Sequence, residues 1–271
     1  MSDEEAHDTA VAPRGFVARL QDDIDLSYAY YPLLLYCLVS GLSDSVAFNA
    51  AGVFVSMQTG NTIFLALGAS HLPAGQPRLW LKAIVSIGSF QAGAFAFSQF
   101  RRFGAQKKLN LFLSCFLQAL LVLISAALAQ SQVVPAFGDV RLSTASESEK
   151  RIAEANDYIV LCPIALLAFN FGGQIYTSRV LNYGEVPTNV LTSLYCDLFS
   201  DPKLFAPITT NAKRNRRIAA AVLTLVGGIV GGWLQRSAGG MPAVLWIAAG
   251  IKVIIAVAWL AWPSKAVKAK A

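Results

Sequence analysis

Residues 109–129 read LNLFLSCFLQALLVLISAALA, 21 residues without a single charge. A helix rises about 1.5 Å per residue, so this run is long enough to cross the roughly 30 Å of hydrocarbon in a bilayer. Working outward from it, five more apolar runs of similar length occupy residues 31–50, 80–100, 158–178, 218–236 and 242–262. Tyr28, Tyr30, Tyr31, Trp80, Trp233, Trp259 and Trp262 stand at their ends, where an amphipathic ring gains from the headgroup boundary. The chain is 55% hydrophobic and 14% charged, against roughly 25% charged in a soluble domain. Six buried helices in a soluble protein would need a polar shell that 271 residues of this composition cannot supply. The expectation is an all-α, polytopic transmembrane helix bundle with the lipid bilayer as its first partner.

Two further segments are apolar but interrupted: 52–70, GVFVSMQTGNTIFLALGAS, and 186–200, VPTNVLTSLYCDLFS. Backbone broken by turn-prone residues is tolerated at membrane depth only when protein surrounds it or it lines a wet cavity. Both are read as broken or re-entrant helices. Each follows a span rich in small and polar residues and precedes two more spans. Gly41-Leu42-Ser43-Asp44, Thr59-Gly60-Asn61-Thr62, then Gly88 and Gly93 in the first half match Gly172-Gly173-Gln174, Leu191-Thr192-Ser193-Leu194, then Gly227 and Gly232 in the second. The spacing predicts an internal duplication. The chain then divides into a cytosolic tail at 1–30, a first membrane repeat at 31–130, a polar linker at 131–157, a second repeat at 158–262 and a basic tail at 263–271.

Cytoplasmic loops carry the excess of Lys and Arg. With six crossings, 15 basic residues fall on the side of both termini and 5 on the other; with eight the ratio is 14 to 6. Both counts put the termini in the cytoplasm, and neither chooses between six and eight. Three full spans per half would make the repeats inverted, the architecture of many secondary transporters.

Net charge is +6, but the basic residues flank apolar runs and show no zinc-finger spacing or aromatic RNA-binding signature, which argues against nucleic acid. Cys37, Cys115, Cys162 and Cys196 form no CxxC pair and read as small buried hydrophobes, so no disulfide, metal or other cofactor is implied. The two histidines, His7 and His71, lie outside the spans, which removes a His-based triad from the bundle and points away from an enzyme.

The candidate site residues are the polar ones inside the membrane. Asp44 lies in the first span, where an ionisable group is costly and normally faces a partner or water. Gln58, Thr59, Gly60 and Asn61 precede a helix expected at 62–68, whose free N–H groups would suit an anion or carbonyl oxygen; the same residues also suit simple capping. Thr188, Asn189 and Thr192 repeat the pattern after Pro187, a residue suited to the first turn of a helix. Lys252 sits mid-span and would need a partner such as Asp44 or Asp197, although Asp197 reads better as interfacial. Asn170, Gln174, Tyr176, Gln91 and Gln118 serve either to line the interior or to join helices. Gly227-Gly228-Ile229-Val230-Gly231-Gly232 holds two overlapping GxxxG patterns and reads as close helix packing, not a phosphate loop.

The stretch 41–68, GLSDSVAFNAAGVFVSMQTGNTIFLALG, with 185–198, EVPTNVLTSLYCDL, resembles the YoaK-like family of multi-spanning membrane proteins, a domain of unknown function, DUF1275. The resemblance rests on Gly41 with Asp44, Phe54 with Val55, the Thr59-Gly60-Asn61 triplet and 186–192, and it runs from about Tyr31 to Trp262. Met57-Gln58 and the acidic linker after Ala129 depart from the pattern without touching those residues. The resemblance implies a membrane protein without assigned chemistry and supplies no catalytic residues. The functional expectation therefore rests on the residues themselves: a secondary transporter or permease for a small polar or anionic solute, or alternatively a scaffold or regulator of other membrane proteins. A homo-oligomer is compatible with either.

Overall fold

The computed structural model describes residues 15, 19–138 and 152–265. The acidic start of the N-terminal segment, linker residues Asp139, Glu147 and Glu149, and the tail beyond Lys265 lie outside the described residues. The helices that carry the fold are α1 (Tyr30–Ala51), α2 (Thr59–Gly68), α3 (Leu79–Ser98), α4 (Lys108–Gln130), α5 (Leu161–Val180), α6 (Leu191–Phe199), α7 (Ala212–Gln235) and α8 (Gly240–Ala261). Six helical segments are long and apolar enough to span a bilayer: α1, α4, α7, α8, α3 extended to Phe103, and α5 extended back to Tyr158. Their outer faces carry Phe95, Ile124, Leu225, Trp233 and Ile254, all exposed. An apolar belt of this extent around a bundle whose inside holds Asp, Lys and Gln is the arrangement lipid requires. The protein is a multi-pass membrane protein.

Helix α2 has 10 residues and α6 has 9. At about 1.5 Å per residue each reaches only about half of the hydrocarbon core, so neither crosses. The two ends of the bundle agree with three full spans per half. At one end Ile24 N donates to Gln106 O (3.1 Å), Asp25 N to Pro263 O (2.8 Å) and Gln106 Nε2 to Val180 O (2.8 Å). These bonds gather the start of α1, the α3–α4 turn and the ends of α5 and α8. At the other end Arg78 donates to Asn156 O, and Met241 N donates to Gly138 O.

The duplication is visible as a repeated contact. The most extensively packed helix pairs are α1 with α7, α3 with α5, and α4 with α8. A Cβ on Gly41 would lie 2.1 Å from Thr224 O, and one on Gly227 would lie 2.2 Å from Leu38 O. In the α3–α5 crossing, a Cβ on Gly172 would lie 2.2 Å from Phe90 O and one on Gly93 would lie 2.0 Å from Phe169 O. Each glycine faces the carbonyl three residues before the partner glycine, so Gly41 corresponds to Gly172 and Gly93 to Gly227. Two crossings of the same register exchange the halves, as a two-fold axis between α4 and α8 would. Of the GxxxG glycines, Gly227 and Gly231 face α1, while Gly228 and Gly232 meet nothing within 4 Å.

Several local expectations change. Helix α7 begins at Ala212 rather than at 218, because the Asn211 side chain accepts from Arg214 N (3.0 Å) and caps a first turn that carries the basic cluster. Helix α2 begins at Thr59 rather than at 62. Pro187 is not in a helix: Asn189 N donates to Pro187 O (2.8 Å), Thr188 is left-handed with φ 61°, and α6 starts only at Leu191. Trp259 is 0% exposed instead of sitting at the boundary, and Cys162 and Cys196 lie on the outer surface whereas Cys37 and Cys115 are buried.

Candidate functional site

Helix α1 stops where Gly52 adopts φ 74° and its N–H bonds to Phe48 O (2.9 Å). That left-handed residue, open to glycine, turns the chain into an irregular stretch that runs back beside α1. Asp44, 8% exposed, receives it: Oδ1 accepts from Val55 N and Ser56 N, both at 2.8 Å, and Oδ2 accepts from Ser56 Oγ at 2.5 Å. The same stretch is held from its other side by Asn61, whose Oδ1 accepts from Phe54 N (3.0 Å) and whose Nδ2 donates to Phe54 O (2.6 Å) and Gln58 Oε1 (2.8 Å). Ser86 of α3 closes the group by donating to Phe54 O (2.7 Å). Gly60 leaves room for the Phe54 ring, which a Cβ would meet at 3.1 Å.

The second broken segment touches the first. Asn189 Nδ2 donates to Ser56 O (3.2 Å) and to Phe171 O on α5 (3.3 Å), and its Oδ1 accepts from Thr188 Oγ1 (2.5 Å). Asp44, Gln58, Gly60, Asn61, Thr188 and Asn189 therefore form one connected group. Thr59 and Thr192 do not join it, since both face outward.

Lys252 belongs to a different group. Its Nζ donates to Gln174 Oε1 (2.7 Å) and Gln118 Oε1 (3.3 Å) and lies 4.4 Å from the centre of the Tyr36 ring and 5.4 Å from that of Phe171. Gln174 Nε2 is anchored on Ser40 Oγ (2.9 Å), and Gln118 Nε2 on Thr177 Oγ1 (3.4 Å). The expected partnership with Asp44 or Asp197 is absent. Asp44 lies two helical turns beyond Tyr36 on α1, about 12 Å along the axis. Asp197 is interfacial, exposed and 3.9 Å from Arg217. Neighbouring Asp201 accepts from Lys203 N, Asn211 Nδ2 and Arg217, and these donors hold its carboxyl below the usual range.

The family model described as Protein of unknown function (DUF1275) matches residues 33–258. The chain belongs to that family. No curated protein and no solved structure matches it. In this DUF1275 protein the family match covers both polar groups, both short helices, four whole spans and all but three residues of the first and last. Residues that the sequence did not single out are Ser56, Ser86 and Tyr36. Ser56 and Ser86 carried no signal beyond being hydroxyls in apolar runs. Tyr36 becomes significant only because the fold lays its ring under Lys252. Gln118 and Gln174 were marked only as residues that line the interior or join helices, while Lys252 was expected to face a carboxylate; the signal that could have found them is that a mid-span ammonium needs acceptors. Gln118 also stands 134 residues before Lys252, the same interval that separates Gly93 from Gly227.

Proposed function

We propose that this protein is a secondary transporter or permease for a small polar or anionic solute, with both termini in the cytoplasm. The observation that supports the reading most is the meeting of two half-length helical segments, through Asn189 and Ser56, between halves related by a repeated crossing. Broken helices at the interface of inverted repeats are where transporters bind solutes and coupling ions. Two buried charges neighbour that meeting point: Asp44 accepts from Ser56, and Lys252 lies 5.4 Å from the ring of Phe171, whose carbonyl accepts from Asn189. The basic excess at the end where the termini gather supports the cytoplasmic assignment. The reading involves no covalent chemistry and hence no enzyme.

Tracer uptake into proteoliposomes across a panel of metabolites tests it. A wild-type protein that accumulates or exchanges one solute, with loss in Lys252→Met, supports transport. A folded, correctly inserted protein that moves nothing in the panel counts against it.

A scaffold or regulator is the second reading, and one observation favours it: every hydrogen bond of Asp44 and Asn61 is made to the chain itself, with both side chains buried. In that case a stoichiometric partner copurifies, and variants at Asp44 change stability without changing any flux.

A further inference from the structure

Two basic clusters stand at the end of the bundle that gathers the termini, and they are used differently. Around residues 213–217 the cations are committed to the fold: Arg214 donates to Lys203 O (3.1 Å) and Leu204 O (2.9 Å), Arg216 pairs with Glu185 (2.9 Å) and Arg217 with Asp201 (3.3 Å). In the α3–α4 turn, among the described residues, no ion pair holds Arg102 or Lys107. The Lys107 ammonium donates to Gln21 Oε1 at 3.5 Å, a long and uncharged contact. The Asp22 carboxylate next to Gln21 accepts from Ser264 Oγ (3.0 Å).

Arg102 and Lys107 line a cavity of about 710 Å³, within the roughly 300–1,000 Å³ of small-molecule sites. Gln21, Phe100, Phe103 and Leu113 share its wall, and among the described residues no carboxylate does. The turn that shapes it is held from within. Gly104 has φ 93°, Asn110 Nδ2 donates to Gly104 O (2.7 Å), and the Lys107 stem packs over Gly104, where a Cβ would lie 2.7 Å from Lys107 Cε. The wall is part polar and part apolar, and its apolar part runs into the lipid-facing surface. Leu113 lies on α4 about 8 Å deeper than the helix start. From it the exposed Leu117, Leu120 and Ile124 continue along the same face, a track about 17 Å long.

We propose that this cavity binds an anionic glycerophospholipid, with Arg102 and Lys107 on the phosphate, Gln21 on the polar headgroup and an acyl chain along the track from Leu113 to Ile124. The guanidinium and the ammonium supply charge-assisted donors to phosphate oxygens. A free phosphate would use the cations and leave the apolar wall of Phe100, Phe103 and Leu113 uncovered. A zwitterionic lipid would cover the wall but bring an ammonium of its own beside the two cations. A lipid with a net negative headgroup satisfies both parts of the site. In the proposed orientation the cavity opens at the cytoplasmic leaflet, the surface to which anionic lipid draws juxtamembrane Lys and Arg. The inference goes beyond the transport reading and does not depend on it.

Its test uses the full chain in detergent, titrated with dioleoyl phosphatidylglycerol, dioleoyl phosphatidylcholine, glycerophosphoglycerol or inorganic phosphate. The unfolding midpoint is expected to rise saturably with phosphatidylglycerol and not with the other three. Arg102→Gln combined with Lys107→Gln changes two side chains that are not buried, and is expected to fold. It should weaken the lipid about tenfold or more, through loss of the charge-assisted bonds to phosphate. Arg101→Gln combined with Lys213→Gln removes the same charge from the same end but outside the cavity, and should leave the affinity unchanged. Independently, native mass spectrometry of the wild type should find phosphatidylglycerol retained on the chain from an equimolar mixture with phosphatidylcholine. Equal shifts from phosphatidylcholine, an equal loss in the two double variants, or the same shift from glycerophosphoglycerol or inorganic phosphate at the same concentrations overturns the lipid site. So does the absence of retained phosphatidylglycerol, which decides the question should the Arg102 and Lys107 variant fail to fold.

Discussion

Asp44 and Lys252 are both charged and both buried, yet their surroundings are built in opposite ways. Asp44 is enclosed by its own chain: two backbone N–H groups and a serine hydroxyl end on its carboxylate. Lys252 is held by two glutamine oxygens and a tyrosine ring, none of which brings a negative charge. The difference separates a fastener from a receptor. A group whose hydrogen bonds close within the fold has its energy committed to stability, whereas a buried charge with no counter-charge beside it is available to a solute of opposite sign.

Substitutions can break that contrast or sharpen it. The largest effect is expected from Asp44→Ala, which strands Val55 N–H, Ser56 N–H and the Ser56 hydroxyl inside the bundle. At about 1–3 kcal/mol for each stranded group, a loss of about 4 kcal/mol is expected in reversible unfolding in detergent. A loss below about 1 kcal/mol would mean that the 53–58 stretch is not held by this carboxylate.

Gly172→Ala and Gly41→Ala place a methyl against a helix backbone that cannot move aside, and overpacking of this kind costs about 2 kcal/mol. Because the two crossings share one register, the two losses should agree to within about 0.5 kcal/mol, the usual scatter for independent sites. A marked inequality would weaken the symmetry argument.

Asn61→Ala removes the clamp on Phe54 N–H and C=O, with an expected loss of about 2 kcal/mol in reversible unfolding. Lys252→Met should change stability least, by under about 1 kcal/mol, because relief from burying an ammonium offsets the two glutamine oxygens left without a donor. Flux should nevertheless vanish. Should Lys252→Met cost as much stability as Asp44→Ala, the distinction between the two groups would fail.

Much of this architecture could be read from the chain alone, because lipid imposes simple length and polarity rules. Six apolar runs of about 20 residues, two interrupted ones and the glycine spacing led to the spans, the short helices and the duplication. The six-or-eight question needed the structure, since an apolar segment of about 19 residues such as 52–70 is long enough to span and only its folding into an irregular stretch plus ten helical residues rules that out. Of the Thr59-Gly60-Asn61 and Thr188-Asn189 motifs, Gly60, Asn61, Thr188 and Asn189 meet in one group and Thr59 faces outward, but turn residues look alike in a sequence whether they close on their own backbone or on a ligand.

Composition and periodicity therefore determined that this is a duplicated helical membrane protein with an ionisable group in each half, because burial in hydrocarbon leaves a strong trace in every span. Which polar atoms are satisfied was decided only by tertiary structure. Tyr36, Cys115, Lys252 and Trp259 come from three different helices, and hydrogen bonding depends on ångström distances between them that no spacing along the chain encodes.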